Sequence, residues 1–212
     1  MTRFHNCVSS LISNISQHVP NLKIVNKIFD MKRLLTILIL LLVFMTTLQA
    51  QKHIRSNTHR DGMHTIEAYP SMFEHQTEQY LLCWNYISSQ GVEAYYISIL
   101  CNDQVAPWYV SAGDKAYIKL LMAEEYTEIS ALLDAQPEKY TSTDGSTKYR
   151  TLATYRIAPD QYDLFYKGFD RFILDVKMQS NNVPVRIAVK MPFSAVEHML
   201  MSYLDIMIAS GR

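Results

Sequence analysis

From Tyr80 onward the chain alternates apolar and polar residues in short runs. A period of two is the signature of strands with one buried and one wet face. In Val92–Cys101, the side chains of Tyr95, Ile97, Ile99 and Cys101 share a face. In Lys115–Met122, Ala116, Ile118, Leu120 and Met122 oppose Lys115, Tyr117 and Lys119. Lys148–Ile157 puts Tyr149, Thr151, Ala153, Tyr155 and Ile157 together, and Asp170–Met178 sets Phe172, Leu174, Val176 and Met178 against Arg171, Asp175 and Lys177. Val183–Lys190 repeats the pattern. Tyr80–Ser88 is a further run, split from Val92 by Ser89-Gln90-Gly91, which reads as a hairpin turn. Pro107–Val110 and Thr127–Leu133 are shorter strands, and Gln136–Thr147 is the longest loop.

Two segments break the period. Pro159–Lys167 reads as a short helix, because a proline at the first helical position loses no hydrogen bond, and Gly168 is placed to stop it. At the C-terminal end Val196, Met199, Leu200, Tyr203, Leu204, Met207 and Ile208 recur at helical spacing. Ser194 and Glu197 stand three apart, the spacing of a capping box at that helix's start. A helix with so wide an apolar stripe must lie on the sheet. The expected fold is therefore α+β. It has about seven mainly antiparallel strands, as a barrel or two-sheet sandwich, with one short internal helix and a C-terminal amphipathic helix packed on the sheet. Seven strands closed by a helix is also the count of pleckstrin-homology-like barrels, from which the internal helix departs.

Ahead of the domain lies an export signal. Met31, Lys32 and Arg33 form a charged start, Leu34–Met45 is an apolar run broken only by Thr36, and a more polar stretch ends on the small residue Ala50. A spanning helix needs about 20 apolar residues. Leu34–Leu48 falls short of that and holds three threonines, so cleavage is favoured over a retained anchor. Residues 31–50 are thus expected to be a signal peptide and 1–30 to lie upstream of a true start at Met31. Residues 51–78 are expected to be a flexible polar lead-in and 79–212 a single globular domain. Export implies a periplasmic, cell-surface or secreted protein.

The chain after Ala50 holds 15 basic and 19 acidic side chains, a net of −4. That disfavours nucleic acid, which needs a basic patch against its phosphates, and adhesion to anionic lipid. Cys83 and Cys101 remain as an even pair. An oxidising compartment would favour a disulfide. If Ser89–Gly91 turns the hairpin, however, the two cysteines miss being opposite by about three positions, which favours two thiols.

No motif for catalysis stands out. A Gly-x-Ser-x-Gly elbow, His-Glu-x-x-His, Cys-x-x-Cys and a glycine-rich phosphate loop are all missing from the sequence. The carboxylates Glu124, Glu125 and Glu128, and the pair Asp160 and Asp163, read as solvated surface, the last two suited to a helix N-terminus. His53, His59, His64 and His75 are spaced 6, 5 and 11 apart, which matches no metal motif. A thiol enzyme built from Cys83 or Cys101 with His198 would need a lowered thiol pKa, against the apolar neighbours of both cysteines. No cofactor is expected. Trp108 and Tyr109 lie between two turn signals, where they can anchor a ligand or plug the barrel end.

The Ser-Ala-Gly-Asp turn that feeds an alternating hairpin in Val110–Leu133, and the short helix and charged strand of Pro159–Lys177, resemble units of small exported β-rich domains of unknown function from Gram-negative gut bacteria. The resemblance implies export and no particular activity. The function expected is a non-enzymatic binding or structural module, whose partner is a protein, peptide or neutral glycan. The alternatives are a small hydrolase without a recognisable motif, and a membrane-tethered periplasmic domain if 31–50 is retained.

Overall fold

The computed structural model describes residues 52–212. The expected upstream stretch, residues 1–30, and the expected signal peptide, residues 31–50, lie outside the described residues. Twelve strands join in one sheet: β1 (Ile54–Arg60), β2 (Met63–Ala68), β3 (Ser71–His75), β4 (Glu78–Ser89), β5 (Val92–Gln104), β6 (Trp108–Tyr109), β7 (Lys115–Leu120), β8 (Tyr126–Ala131), β9 (Glu138–Thr141), β10 (Thr147–Arg156), β11 (Phe169–Met178) and β12 (Pro184–Lys190). A 3-10 helix, Pro159–Lys167, precedes β11, and the helix α1, Phe193–Ala209, closes the chain. The fold is β-rich α+β, with antiparallel pairing throughout the strands.

The main path runs β1-β2-β4-β5-β10-β8-β7-β11-β12, and its two ends do not meet. The sheet is open, with twelve strands where about seven are expected as a barrel or sandwich. Two physical causes account for the difference. First, long strands are faced by pairs of short ones. β2 lies along Asn85–Ser89 of β4 and β3 along Glu78–Leu82, the break falling at Tyr69-Pro70. In the same way β9 and β8 share one flank of β10, and β6 and β7 one flank of β11. Pro107 and Pro137 precede β6 and β9. A proline has no N–H to give a ladder, so it marks these starts. Second, Ile54–His75 forms three strands of the sheet rather than a flexible lead-in. β1 is an edge strand whose last four residues are all exposed, so no apolar alternation betrays it.

One face of the sheet is the core. Tyr80, Leu82, Trp84 and Tyr86 of β4, Tyr95, Ile97, Ile99 and Cys101 of β5, and Phe172, Leu174 and Val176 of β11 are buried there. α1 lies over them and buries Val196, Met199, Tyr203, Ile206 and Met207, each worth about 1.5–3 kcal/mol. The Trp84 indole N–H donates to the carbonyl of Met199 at 2.9 Å, and the Tyr203 hydroxyl donates to the carbonyl of Tyr162 at 2.6 Å. The rings of Trp84 and Tyr203 sit 4.6 Å apart. Gly168 ends the 3-10 helix at φ +69°, with Leu121 and Leu200 at contact distance from where a Cβ would stand, so turn and packing both call for glycine.

The Ser194–Glu197 capping box does not form. The helix begins at Phe193 on Pro192, whose carbonyl accepts the amides of Ala195 and Val196 at 3.0 and 3.1 Å. Ser194 is therefore already inside the first turn, past the position from which a side chain caps.

Candidate functional site

Among the described residues nothing covers the face of the sheet away from α1, and across β3, β4, β5 and β10 the register aligns its side chains in rungs. Met72 pairs with Leu81, Leu81 with Leu100, and Leu100 with Leu152. This makes an aliphatic rung four strands wide, with Met72 64% and Leu152 57% exposed at its ends. The next rung is Cys83–Ser98–Thr154. Asn85 donates to the Ser98 hydroxyl at 3.0 Å, and Ser98 and Thr154 share a hydroxyl–hydroxyl bond at 3.0 Å. A leucine rung beside a satisfied hydroxyl ladder is a surface that gives up little on drying.

Three shallow hollows meet along these rungs. One of about 280 Å³ lies over Thr65, Asn85, Ser98, Leu132 and Thr154. One of about 270 Å³ shares Asn85 and Ser98 with it and adds Pro70, Leu81, Cys83, Leu100 and Leu152. One of about 410 Å³ shares Leu100 and Leu152 and adds Glu138 and Arg150. Their shared residues join them into one groove. Two of its charged pairs are balanced: Arg55 reaches Glu67 at 3.1 Å, and Arg150 grips Glu138 with two bonds of 2.9 Å; the Asp134 carboxylate at its end accepts the Ala112 amide at 2.7 Å. The Arg150 guanidinium holds the Glu138 carboxyl below its ordinary pKa.

Cys83 opens into this groove, half-buried, and its thiol donates to the carbonyl of Ala68 at 3.0 Å. Burial pushes it up to about 12. Cys101 lies in the core on the other side of the sheet, where burial likewise pushes its thiol up to about 12. Cys83 pairs with Ser98 and Cys101 with Tyr80. The two thiols are free, three positions apart in register and on opposite faces.

Trp108 is buried at 1% exposure, with Thr151 donating to its carbonyl at 2.9 Å. Only Tyr109 of that pair reaches solvent, where its hydroxyl donates to Asn182. The two aromatics therefore form no joint contact surface, because Trp108 faces inward against β10. The histidines are scattered. His59 and His64 stack at 3.8 Å across the β1–β2 turn, His75 edges the Tyr80 ring, and His53 meets His198 and Asp205 beside α1. Among the described residues no three His, Cys, Asp or Glu side chains converge as metal ligands would. His198 contacts His53 and Ser202 rather than either cysteine. Glu128 pairs with Lys115, while Asp160 and Asp163 lie in the 3-10 helix.

Sequence reasoning passes over Leu81, Leu100 and Leu152, since each sits at an outward position of its run. The signal available was leucine where an alternating strand ordinarily presents a polar side chain to water. No protein-family model, curated protein or solved structure matches the chain.

Proposed function

We propose that the chain is an exported, non-enzymatic binding module that takes a protein or peptide segment rich in aliphatic side chains along the open sheet face. The observation that carries this reading is the rung Met72–Leu81–Leu100–Leu152, a run of apolar side chains on a face that no described residue covers. Sugar-binding surfaces favour exposed rings for stacking. Here the central lining is aliphatic, which favours a peptide over a glycan. The balanced pairs Arg55–Glu67 and Arg150–Glu138 favour an uncharged contact. Export rests on the segment Met31–Ala50. The intact mass of the native protein tests it, and a mass retaining Leu34–Met45 overturns cleavage.

Binding is tested with a panel of extended peptides carrying leucine or valine at alternate positions, beside neutral glycans. Leu152→Glu should abolish peptide binding and leave the melting temperature nearly unchanged, because the side chain is mostly exposed. Glycan binding without peptide binding, or full binding by Leu152→Glu, overturns the reading.

A further inference from the structure

The other end of the same open face carries a different arrangement. Across β8, β7, β11 and β12 the register sets Tyr126, Lys119, Arg171 and Lys190 in one rung. Three cations thus stand directly opposite one another on three adjacent strands, their Cα atoms within about 10 Å. Like charges so placed repel and destabilise a sheet. On the neighbouring strands Lys115 is neutralised by Glu128 at 2.9 Å, Arg186 by Asp175 at 2.9 Å and Lys177 by Asp114 at 3.0 Å, while Arg156 of β10, opposite Ser130, stands alone without an ion pair among the described residues. Lys119, Arg171 and Lys190 form no ion pair among the described residues. The Lys119 amine donates to the carbonyl of Glu124 and lies 5.4 Å from the Tyr126 ring centre. Asp170, at the irregularity that precedes Arg171, is the nearest acid in sequence, yet it too forms no ion pair.

An edge strand often carries lysine to block pairing with other chains, which accounts for Lys190 alone. Lys119 and Arg171 sit on interior strands, where that purpose is absent. We infer that the Lys119–Arg171–Lys190 rung is an anion site for a tetrahedral oxyanion, a phosphate or sulfate group. Arg171 offers a planar fork for two oxygens and the lysines supply point charges on either side. Three charges suit a doubly charged ion better than a single carboxylate. The neighbouring rung is Glu128–Tyr117–Ile173–Ala188. It offers an aromatic and aliphatic shelf for the body of an ester, and no other rung of this face sets three cations opposite one another. That width fits one oxyanion and not a nucleic-acid backbone. The net charge of −4 masks so local a feature.

The test is thermal melting of the protein as the cell processes it, in inorganic phosphate against sodium chloride of equal ionic strength. Phosphate at ten times its dissociation constant should raise the melting temperature by about 3–5 °C over chloride. Arg171→Gln and Lys190→Gln should not lower the melting temperature at low salt, since each relieves repulsion, and should lose most of the phosphate response. Lys115→Gln, which removes a paired cation from the same face, should keep it. A sugar phosphate and a sulfated dextran extend the series: a larger rise with either assigns an esterified ligand, and a rise with the free ion alone assigns the ion itself. Equal stabilisation by chloride, or a full phosphate response in the two glutamine variants, overturns the proposal.

Discussion

His53 reaches one oxygen of Asp205 twice, through its backbone amide at 3.1 Å and through ring nitrogen Nδ1 at 2.8 Å. The carboxylate is almost wholly buried, and the carbonyl of His53 in turn accepts the Tyr69 amide at 2.7 Å. The approach to β1, the end of β2 and the last turns of α1 are tied at one point. Asp205→Ala removes the acceptor and leaves two donors facing apolar surroundings. It should cost about 1.5–3 kcal/mol, and Asp205→Asn, which keeps an acceptor oxygen, should cost less. Thermal melts of the two variants check the order.

The ring of His198 lies 5.2 Å from that of His53, and its pKa is lowered by burial first and by His53 second. A histidine lowered in the folded state binds its proton later than the unfolded chain does. The unfolded state then holds more protons just below about pH 6.5, so stability rises with pH there. The contribution is full above that pH and is lost as pH falls through the folded value. Denaturant titrations from pH 7 to 5 should show a decline in stability that His198→Gln makes shallower. An equal slope in the variant would remove His198 from the account.

Among the described residues two buried donors have no hydrogen-bond partner, the Trp108 indole N–H and the Tyr155 hydroxyl. Tyr155→Phe therefore removes a stranded polar group and should be neutral or stabilising by up to about 1 kcal/mol. Trp84 has the opposite standing, since its N–H is satisfied by Met199. Trp84→Phe should cost more than Trp108→Phe, although both indoles are fully buried. Trp108→Ala should cost about 3–5 kcal/mol as a core truncation, whereas Tyr109→Ala should change little. Chemical denaturation of the set separates these cases.

The thiols make a chemical prediction. With both pushed up to about 12, the thiolate is scarce at pH 8. Alkylation of the native protein should run at least tenfold slower than that of a free cysteine. After unfolding, both should react in full without reductant. A mass two hydrogens short before reduction would contradict the opposite-facing placement of Cys83 and Cys101.

Much of the sheet is legible in the alternating runs. Val92–Cys101, Lys115–Met122 and Asp170–Met178 each bury the face their apolar residues mark, except that β7 ends at Leu120 and Met122, in the turn beyond it, is fully exposed. Pro159 and Gly168 likewise bound the 3-10 helix at the residues where their backbone constraints place its ends. What escapes the sequence is whatever depends on neighbours. Asn57, Thr58 and His59 form an edge strand because β2 offers a ladder, with no burial pattern of their own to announce it. Tyr140 belongs to a strand because Lys148 lies opposite it. The leucine rung is the clearest instance. Leu100 and Leu152 stand 52 positions apart and meet only because β5 and β10 adopt one register among several that would satisfy the same alternation.

Tyr203 and Asp205 fall within the last ten residues of the chain, yet they hold Tyr162 and His53. Synthesis proceeds from the other end. A nascent polypeptide therefore lacks the cover that α1 gives the aromatic inner face, Trp84 included, until the residues of α1 have been made. Closure of that face waits on the residues of α1, because Met199 and Tyr203 are what cover Trp84.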